Sequence, residues 1–415
     1  MSSEANAPPT PNKRAFLPAK PDSAFIAVAQ NIAGVDLALN NQVEIDPDDL
    51  SRLKQLPKNA GIILMPNHAD EVDPRICLEL SRRCAKRFIL MCNREAFDEY
   101  SGLAGWALQR LGYFSVERGA HDTAAKDFAI DVLKNAQEVL VLFPEGEIYY
   151  LNENIQPFHS GGVEICMQAM IQNRQSRPDF SIFAVPMAIK YTYPQPIDRI
   201  LDQRVQKMEH DLSLTPSGAT MQKRLHNIFQ ELLKRQQLAH NLADGQPTPE
   251  SATQLSLQVK NARRAILEQV EQKYSELSSG NRPTIDQSWQ LGAKLRAMID
   301  DGAENKTEIR RDLSALNEVA HMVSWQPKYI VSNPSRDRMA EVVLKLEREL
   351  YRIKRPRQLA KRHVHVRIAD PIDLSKHLSE YCADPHTVRH NLTQQLQETV
   401  QQMIDGMVPL PGRRL

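Results

Sequence analysis

Short apolar runs alternate with stretches of helical spacing along the first 200 residues. The runs typical of buried strands are 61–65, 87–91, 138–143 and 183–189. The stretches with helical spacing between them are 74–86, 102–111 and 123–136. Strands separated by crossover helices predict an α/β fold, with a mostly parallel sheet flanked by helices.

The pattern changes between residues 200 and 356, where nearly every window is helical, charged and rich in Gln, Leu and Ala. Residues 363–368 then alternate polar and apolar positions, which predicts one more strand. A strand that returns after a helical block indicates a large all-helical insertion within the α/β domain; two sequential domains are the alternative. The predicted organisation is a flexible leader (1–22), an α/β core (23–199), a helical insertion (200–356) and a return to the core (357–415).

Composition narrows the function classes. The net charge is +1 with 25% charged residues, so no basic field favours nucleic-acid binding. No stretch approaches the roughly 20 apolar residues of a membrane-spanning helix, since Gln30, Asn31 and Asp36 interrupt the apolar segment 25–39. Five scattered cysteines without metal-ligand spacing predict reduced thiols, no metal site and a cytoplasmic protein.

The first candidate site is the segment 67–74, which follows the first predicted strand and leads into a helix. Open α/β sheets place their sites at such strand ends. On this turn the Asp73 carboxylate can reach the His68 ring, and an Asp–His pair suits activation of a hydroxyl group. The structural alternative is that Asp73 only caps the helix before Pro74.

Three further segments indicate a function only in combination. Phe143-Pro144-Glu145-Gly146 follows an apolar strand, and alone it predicts a turn with a solvated Glu145. Gly112 to Arg118 is a short strand whose arginine suits capture of phosphate, although a surface ion pair is the commoner role. Val185-Pro186 alone indicates a strand with an edge proline.

In this order and spacing, the four segments resemble the glycerolipid acyltransferase family typified by 1-acylglycerol-3-phosphate acyltransferases. The resemblance covers about 45–195 and 360–376. Arg94-Glu95, 157–162 and 369–372 are weaker matches. Two features depart from the family pattern. Glu147 and Ile148 stand where the family often has Thr and Arg, which puts a phosphate-bearing acceptor in doubt, and short members lack the helical block.

The resemblance implies an O-acyltransferase of phospholipid biosynthesis, which moves an acyl group from a thioester to a glycerol-type hydroxyl. His68 would be the general base and Asp73 would orient it. Substrate binding would fall to the motif residues Gly112, Arg118, Phe143, Pro144, Glu145 and Gly146, and more weakly to Arg94. Lys190 is a further weak candidate for an anion contact.

The resemblance also implies the partners. The donor would be acyl-CoA or acyl carrier protein, the acceptor a lysophospholipid or glycerol phosphate, and no cofactor would be needed. Six of the eleven residues from 352 to 362 are basic and none is acidic. This basic segment predicts reversible contact with an anionic membrane surface or an acidic carrier protein; a solvated helix end is the alternative.

Two other functions stay open. The enzyme could acylate a different hydroxyl or an amine, an alternative supported by Glu147 at the position where the family often has Thr. A non-catalytic lipid or acyl-carrier binder on the same fold is the other alternative, and the intact His68/Asp73 pair argues against it.

Overall fold

The computed structural model describes residues 15–174, 176–215, 218–242, 249–277, 283–332, 335–353 and 355–407. Its strands are β1 (Asn41–Ile45), β2 (Gly61–Pro66), β3 (Phe88–Asn93), β4 (Tyr113–Val116), β5 (Val139–Val141), β6 (Ile182–Thr192), β7 (Arg362–Ile368) and β8 (Ile372–Asp373). They form one sheet in the order β1-β7-β6-β2-β5-β3-β4, with β8 paired to β6. All pairings are parallel except those of β6 with β7 and β8. The predicted α/β fold is confirmed.

Helices cover both faces of the sheet. Along β2, Ile63 and Met65 lie in one apolar core, while Ile62 and Leu64 lie in the opposite one, as the two-residue period of a strand requires. The helices of this part are α1 (Ser23–Asn40), α2 (Pro47–Lys54), α3 (Asp73–Cys84), α4 (Arg94–Asp98), α5 (Leu103–Leu111), α6 (Thr123–Asn135), α7 (Gly161–Arg174), α15 (Leu378–Ala383) and α16 (Pro385–Gly406).

Within the described residues, seven α-helices separate β6 from β7 in sequence, although the two strands are hydrogen-bonded neighbours in the sheet. All but the shortest of them contribute to an apolar core separate from those beside the sheet, and we call the seven helices the helical block. They are α8 (Asp198–Asp211), α9 (Met221–Ala239), α10 (Ala252–Lys273), α11 (Thr284–Asp300), α12 (Lys306–Met322), α13 (Pro327–Ser332) and α14 (Arg336–Tyr351).

The chain before α1 contacts the core, unlike the predicted leader. Leu17 N–H donates to Ser115 Oγ at 2.8 Å, and Ser115 N–H donates to the Leu17 carbonyl at 2.9 Å. The Phe16 ring packs against Phe114 and Phe128. The prediction of a flexible leader up to residue 22 was therefore wrong for these residues, and 1–14 lie outside the described part of the chain.

Helix α1 is the one candidate membrane span among the described residues. It has 18 residues and a mean hydropathy of 1.2, so by length and composition it could cross a membrane, and only 11% of it is buried. The apolar character of this segment is therefore stronger than the sequence analysis indicated. One such helix near the N-terminus is weak evidence for a span, so the described residues contain no clear transmembrane segment.

The buried carboxylate of Asp49 ties α2 to β7. It is 1% exposed and accepts hydrogen bonds from Arg367 Nε at 2.7 Å and from Ile368 N–H at 3.0 Å. Arg52 on α2 also contacts it. We expect Asp49→Asn to lower the free energy of unfolding by about 1–3 kcal/mol, because an amide N–H would face a donor. Urea unfolding measures this loss.

The control is Asp48→Asn on the exposed side of the same turn, for which a change within about 0.5 kcal/mol is expected. Equal unfolding midpoints for the two variants would show that Asp49 does not hold β7 in place.

Candidate active site

The chain leaving β2 is held against β6 by a buried asparagine. The Asn67 side-chain amide donates to the Ile189 carbonyl at 3.0 Å, and Ile189 N–H donates to Asn67 Oδ1 at 2.7 Å. Both bonds are inaccessible to water. They replace the strand pairing that ends here, so His68 comes next at a defined position.

His68 and Asp73 lie within hydrogen-bond distance. His68 Nδ1 is 2.9 Å from Asp73 Oδ2, which also accepts from Asp70 N–H at 2.8 Å. The Tyr191 hydroxyl donates to Asp73 Oδ1 at 2.5 Å. Asp73 is fully buried at the first turn of α3, where Val72 holds the N-cap position. Burial raises the pKa of Asp73, and the His68 and Tyr191 bonds oppose that shift.

The His68 ring is stacked on Phe143, with centroids 4.0 Å apart and planes inclined by 21°. With Nδ1 engaged by Asp73, Nε2 is the remaining ring nitrogen, and His68 lines the large cavity described below. A ring held by stacking and by a carboxylate is oriented to accept a proton at Nε2. Phe143 thus supports the histidine as well as lining the cavity.

Glu145 lies beneath His68. It is 2% exposed, and it accepts from His68 N–H at 2.7 Å and from Gln156 N–H at 2.8 Å. Burial raises its pKa to about 8, against the effect of the two N–H donors. The expectation of a solvated Glu145, based on this turn alone, was therefore wrong. Glu145 is also not among the residues that line the cavity. Its carboxyl group instead holds two loops together.

Arg118 reaches the site but has internal partners. Its Nη1 donates to the Gly146 carbonyl at 3.0 Å and to Glu147 at 2.5 Å, and its guanidinium lies 5.3 Å from the Trp289 ring centroid. Although burial alone would raise the pKa of Glu147, the charge of Arg118 holds it below the usual range. Arg118, which was predicted to bind phosphate, therefore already forms an ion pair with the Glu147 carboxylate.

Three other candidates lie outside the cavity lining, namely Gly112, Arg94 and Lys190. Gly112 ends α5 with a φ of +94°, and a Cβ there would lie 2.7 Å from the Phe88 carbonyl oxygen, so the turn requires glycine. Arg94 pairs with Asp98 at 2.5 Å. The Lys190 ammonium donates to the carbonyls of Ile404 at 3.1 Å and Met407 at 2.9 Å.

The basic segment is divided between surface and interior. Arg362 is 4% exposed, pairs with Asp70 at 2.7 Å and lies over the Tyr191 ring. Arg355 contacts Glu71 beside the cavity. Arg362 therefore supports the Asp73 environment and is not available to a membrane, and Lys354 lies outside the described residues.

One cavity of about 1450 Å³ contains His68 and extends between the α/β part and the helical block. Pro144 and Gly146 also line it. The block contributes lining residues that no motif had indicated, including Trp289, His321 and Arg348. Among the described residues, no group of three or more His, Cys, Asp or Glu could hold a metal ion.

Residues 49–190 match the family model described as Acyltransferase. The matched region runs from α2 through β6 and contains His68, Asp73, Arg118 and Glu145. It leaves the helical block and β7 outside. No curated protein matches the chain. The match supports a transferase that moves acyl groups, on the part of the chain that carries the His68–Asp73 pair.

The two glutamates of this site predict opposite pH effects on stability. Folded Glu145 keeps its proton up to about pH 8, whereas an unfolded glutamate releases it near 4.5. Its contribution is therefore full below pH 4.5 and is lost as the pH rises to 8. We expect Glu145→Gln to flatten the stability curve in this window, as measured by urea unfolding at several pH values.

Glu147→Gln is the matched comparison. The pKa of Glu147 is lowered, so its contribution is present above about pH 4.5 and is lost as the pH falls further. This variant should flatten only the acidic end of the curve. A parallel response of both variants would contradict the assignment.

Proposed function

We propose that the protein transfers an acyl group from a thioester, acyl-CoA or acyl carrier protein, to a hydroxyl group of a lysophospholipid or glycerol phosphate. The observation that carries the proposal is the Tyr191–Asp73–His68 hydrogen-bond chain. It ends in a histidine that lines the large cavity, within the region matched by the Acyltransferase model.

The reaction follows from the orientation of His68. Its Nε2 accepts the proton of the acceptor hydroxyl as that oxygen attacks the thioester carbonyl. A C–O bond forms, the C–S bond breaks, and the leaving thiolate takes the proton from the imidazolium. Asp73 stabilises the imidazolium through Nδ1–H, so its charge is balanced in a buried site. No acyl-enzyme intermediate is required.

The cavity supports this proposal by its size and by the groups around it. A volume of about 1450 Å³ is larger than the usual range for a single small ligand. It leaves room for an acceptor and the thioester end of a donor together. The apolar side chains of Leu108, Val116, Leu142 and Ile165 in the lining suit an acyl chain.

His68→Ala should lower turnover by roughly 10²–10⁴-fold, since general-base assistance is worth that much. Asp73→Asn should also lower turnover, because the amide cannot balance the imidazolium. A labelled acyl-CoA assay with a panel of acceptors measures both.

His390→Ala, an exposed histidine on α16, is the control and should keep the wild-type rate. Wild-type turnover by folded His68→Ala would overturn the assignment. If the wild-type chain binds acyl-CoA or lysolipid but transfers nothing, the non-catalytic binder becomes the better description.

A second candidate is transfer to an acceptor without a phosphate group, favoured by the Arg118–Glu147 pair. Among the described residues that line the cavity, ten are Asp or Glu and five are Lys or Arg. An excess of carboxylates disfavours an anionic headgroup and suits a neutral or amine-bearing one. The acceptor would then offer a hydroxyl or an amine to His68.

Glu147→Gln separates the two candidates. The substitution leaves the Arg118 charge without its carboxylate, so a phosphate-bearing acceptor should gain about tenfold in kcat/KM, equal to about 1.4 kcal/mol. An uncharged acceptor such as a monoacylglycerol should change little. The measurement is kcat/KM for lysophosphatidic acid and monoacylglycerol with both proteins.

If the wild type already prefers lysophosphatidic acid and Glu147→Gln leaves that preference unchanged, the Arg118–Glu147 pair does not select the acceptor. A gain for both acceptors alike would also contradict the proposed selectivity.

A further inference from the structure

A further cavity, of about 560 Å³, lies where the helical block meets the loop 152–156. Helices α10, α13 and α14 and the end of α12 line it, together with Glu153 and Asn154 of the loop. Among the described residues, it shares no lining residue with the cavity that contains His68. Its volume lies within the usual range of a small-molecule site. We call it the second cavity.

The second cavity is basic, whereas the cavity of His68 is acidic. Its described lining residues include a single carboxylate, that of Glu153, and four cations. The cations are Lys260, Arg263, Lys328 and Arg338. In the described lining of the larger cavity, by contrast, ten residues are Asp or Glu and five are Lys or Arg. A cavity favours ligands of the opposite charge, so the second cavity suits an anion.

Arg338 and Glu153 neutralise each other in the wall of the second cavity. Arg338 is 8% exposed, and its Nε and Nη2 donate to Glu153 Oε2 at 3.1 and 2.6 Å. Its Nη1 donates to the Tyr329 carbonyl at 2.6 Å and to Ser332 Oγ at 2.9 Å. The carboxylate of the lining is therefore already paired, and it does not neutralise the other three cations.

Those three cations are available to a ligand. Lys260 and Arg263 lie three residues apart on α10, and Lys328 lies on α13, which packs against α10. Within the described part of the chain, none of the three has an ion-pair partner. The two lysines are exposed, whereas Arg263 is half-buried. Like charges that line one cavity repel one another, so an anion between them is stabilising.

Arg263 also has unused hydrogen-bonding capacity. Its Nε is inaccessible to water and has no hydrogen-bond partner among the described residues, and the same holds for Nε1 of Trp325 in the same lining. Buried donors normally have an acceptor, in the protein, in water or in a ligand. Burial lowers the pKa of Arg263, and the nearby Tyr149 opposes the shift. A guanidinium without a carboxylate partner is suited to bidentate binding of a phosphate group.

A hydrogen-bond chain joins the second cavity to the loop beneath His68. Gln326 lines the cavity, and its amide donates to Gln156 Oε1 at 3.2 Å. Gln156 N–H donates to Glu145, which accepts from His68 N–H at 2.7 Å. Asn154, also in the lining, donates to Gln326 Oε1 at 3.0 Å. A ligand that orders Gln326 and Asn154 therefore also orders the backbone contact of His68.

We propose that the second cavity binds a small molecule carrying a phosphate monoester, with Arg263, Lys260 and Lys328 as its anion contacts. Such a group carries about −1.5 to −2 charges at neutral pH, which matches three cations better than a carboxylate does. Binding stabilises the loop 152–156 and, through the chain of hydrogen bonds, the backbone contact of His68. Neither effect depends on the transfer reaction.

Isothermal titration calorimetry of the full-length chain tests the site, with inorganic phosphate and glucose 6-phosphate in a chloride buffer of fixed ionic strength. The wild type should bind both compounds. Arg263→Gln should weaken both by roughly tenfold or more, because a charged hydrogen-bond donor is lost. Lys328→Gln should weaken both by a smaller factor, since its side chain is exposed to water.

Arg264→Gln is the matched control. Arg264 is the next residue of α10, is exposed and pairs with Glu268 outside the second cavity, so its replacement should leave phosphate binding unchanged. Arg118→Gln should also leave it unchanged, because Arg118 lines the cavity of His68 and not the second cavity. Circular dichroism and urea unfolding check that each variant is folded.

The phosphate monoester can come from a free metabolite or from the 3′-phosphate of CoA, and displacement of glucose 6-phosphate separates these sources. If the second cavity takes the CoA group, CoA should displace the sugar phosphate and 3′-dephospho-CoA should not. If a free metabolite is the ligand, neither should displace it. Equal displacement by both compounds would place a diphosphate in the cavity and would contradict the monoester.

Hydrogen–deuterium exchange measures the link to His68 without any turnover. With saturating inorganic phosphate, exchange in the wild type should slow in the segments 152–158 and 67–70. In Arg263→Gln at the same phosphate concentration, exchange should not change. Gln326→Ala should still bind phosphate but lose the slowing at 67–70, because Gln326 carries the hydrogen bond to Gln156. Unchanged exchange in both segments of the saturated wild type would overturn the link.

Two results would overturn the site itself. The wild type could show no phosphate binding at low salt. Alternatively, Arg263→Gln could bind phosphate as tightly as the wild type while Arg118→Gln loses binding, which would place the phosphate in the cavity of His68. Because none of these measurements uses acyl transfer, their failure is distinguishable from a failure of the proposed function.

Discussion

The hydrogen bond between His68 Nδ1 and Asp73 is the interaction on which the rest of the site depends. A carboxylate with no exposure to water must receive hydrogen bonds from the protein, or it will take up a proton. Asp73 receives them from the loop after β2, through His68 and Asp70, and from β6, through Tyr191. Each donor holds the acceptor in place, so the carboxylate and the ring orient each other.

Strand β7 extends this hydrogen-bond network. Arg362, at the start of β7, pairs with Asp70 and lies over the ring of Tyr191, two direct partners of Asp73. Strand β7 returns to the sheet only after the helical block, and Asp49 secures its other end. The environment of the histidine therefore depends on residues about 300 positions away in the chain.

The helical block also shapes the cavity. Gly119 has a φ of +79°, and a Cβ there would lie 2.2 Å from the Trp289 carbonyl carbon, so the block lies directly on the loop after Arg118. The Trp289 ring lies over the guanidinium of Arg118, and the Glu147 carboxylate neutralises its charge. Arg118 is therefore not an open site for the phosphate group of the proposed acceptor.

The sequence by itself determined the α/β fold, the positions of most strands along the chain and the pairing of His68 with Asp73, because these follow from local periodicity and from residues five positions apart. It did not reveal β1, since the short run 41–45 carries few apolar residues. Only the tertiary structure decided that Glu145 is buried, that Glu147 occupies Arg118 and that Arg362 supports Asp70. Each of these depends on which charged side chains meet across distant segments. The sequence does not indicate which partner will neutralise a given charge.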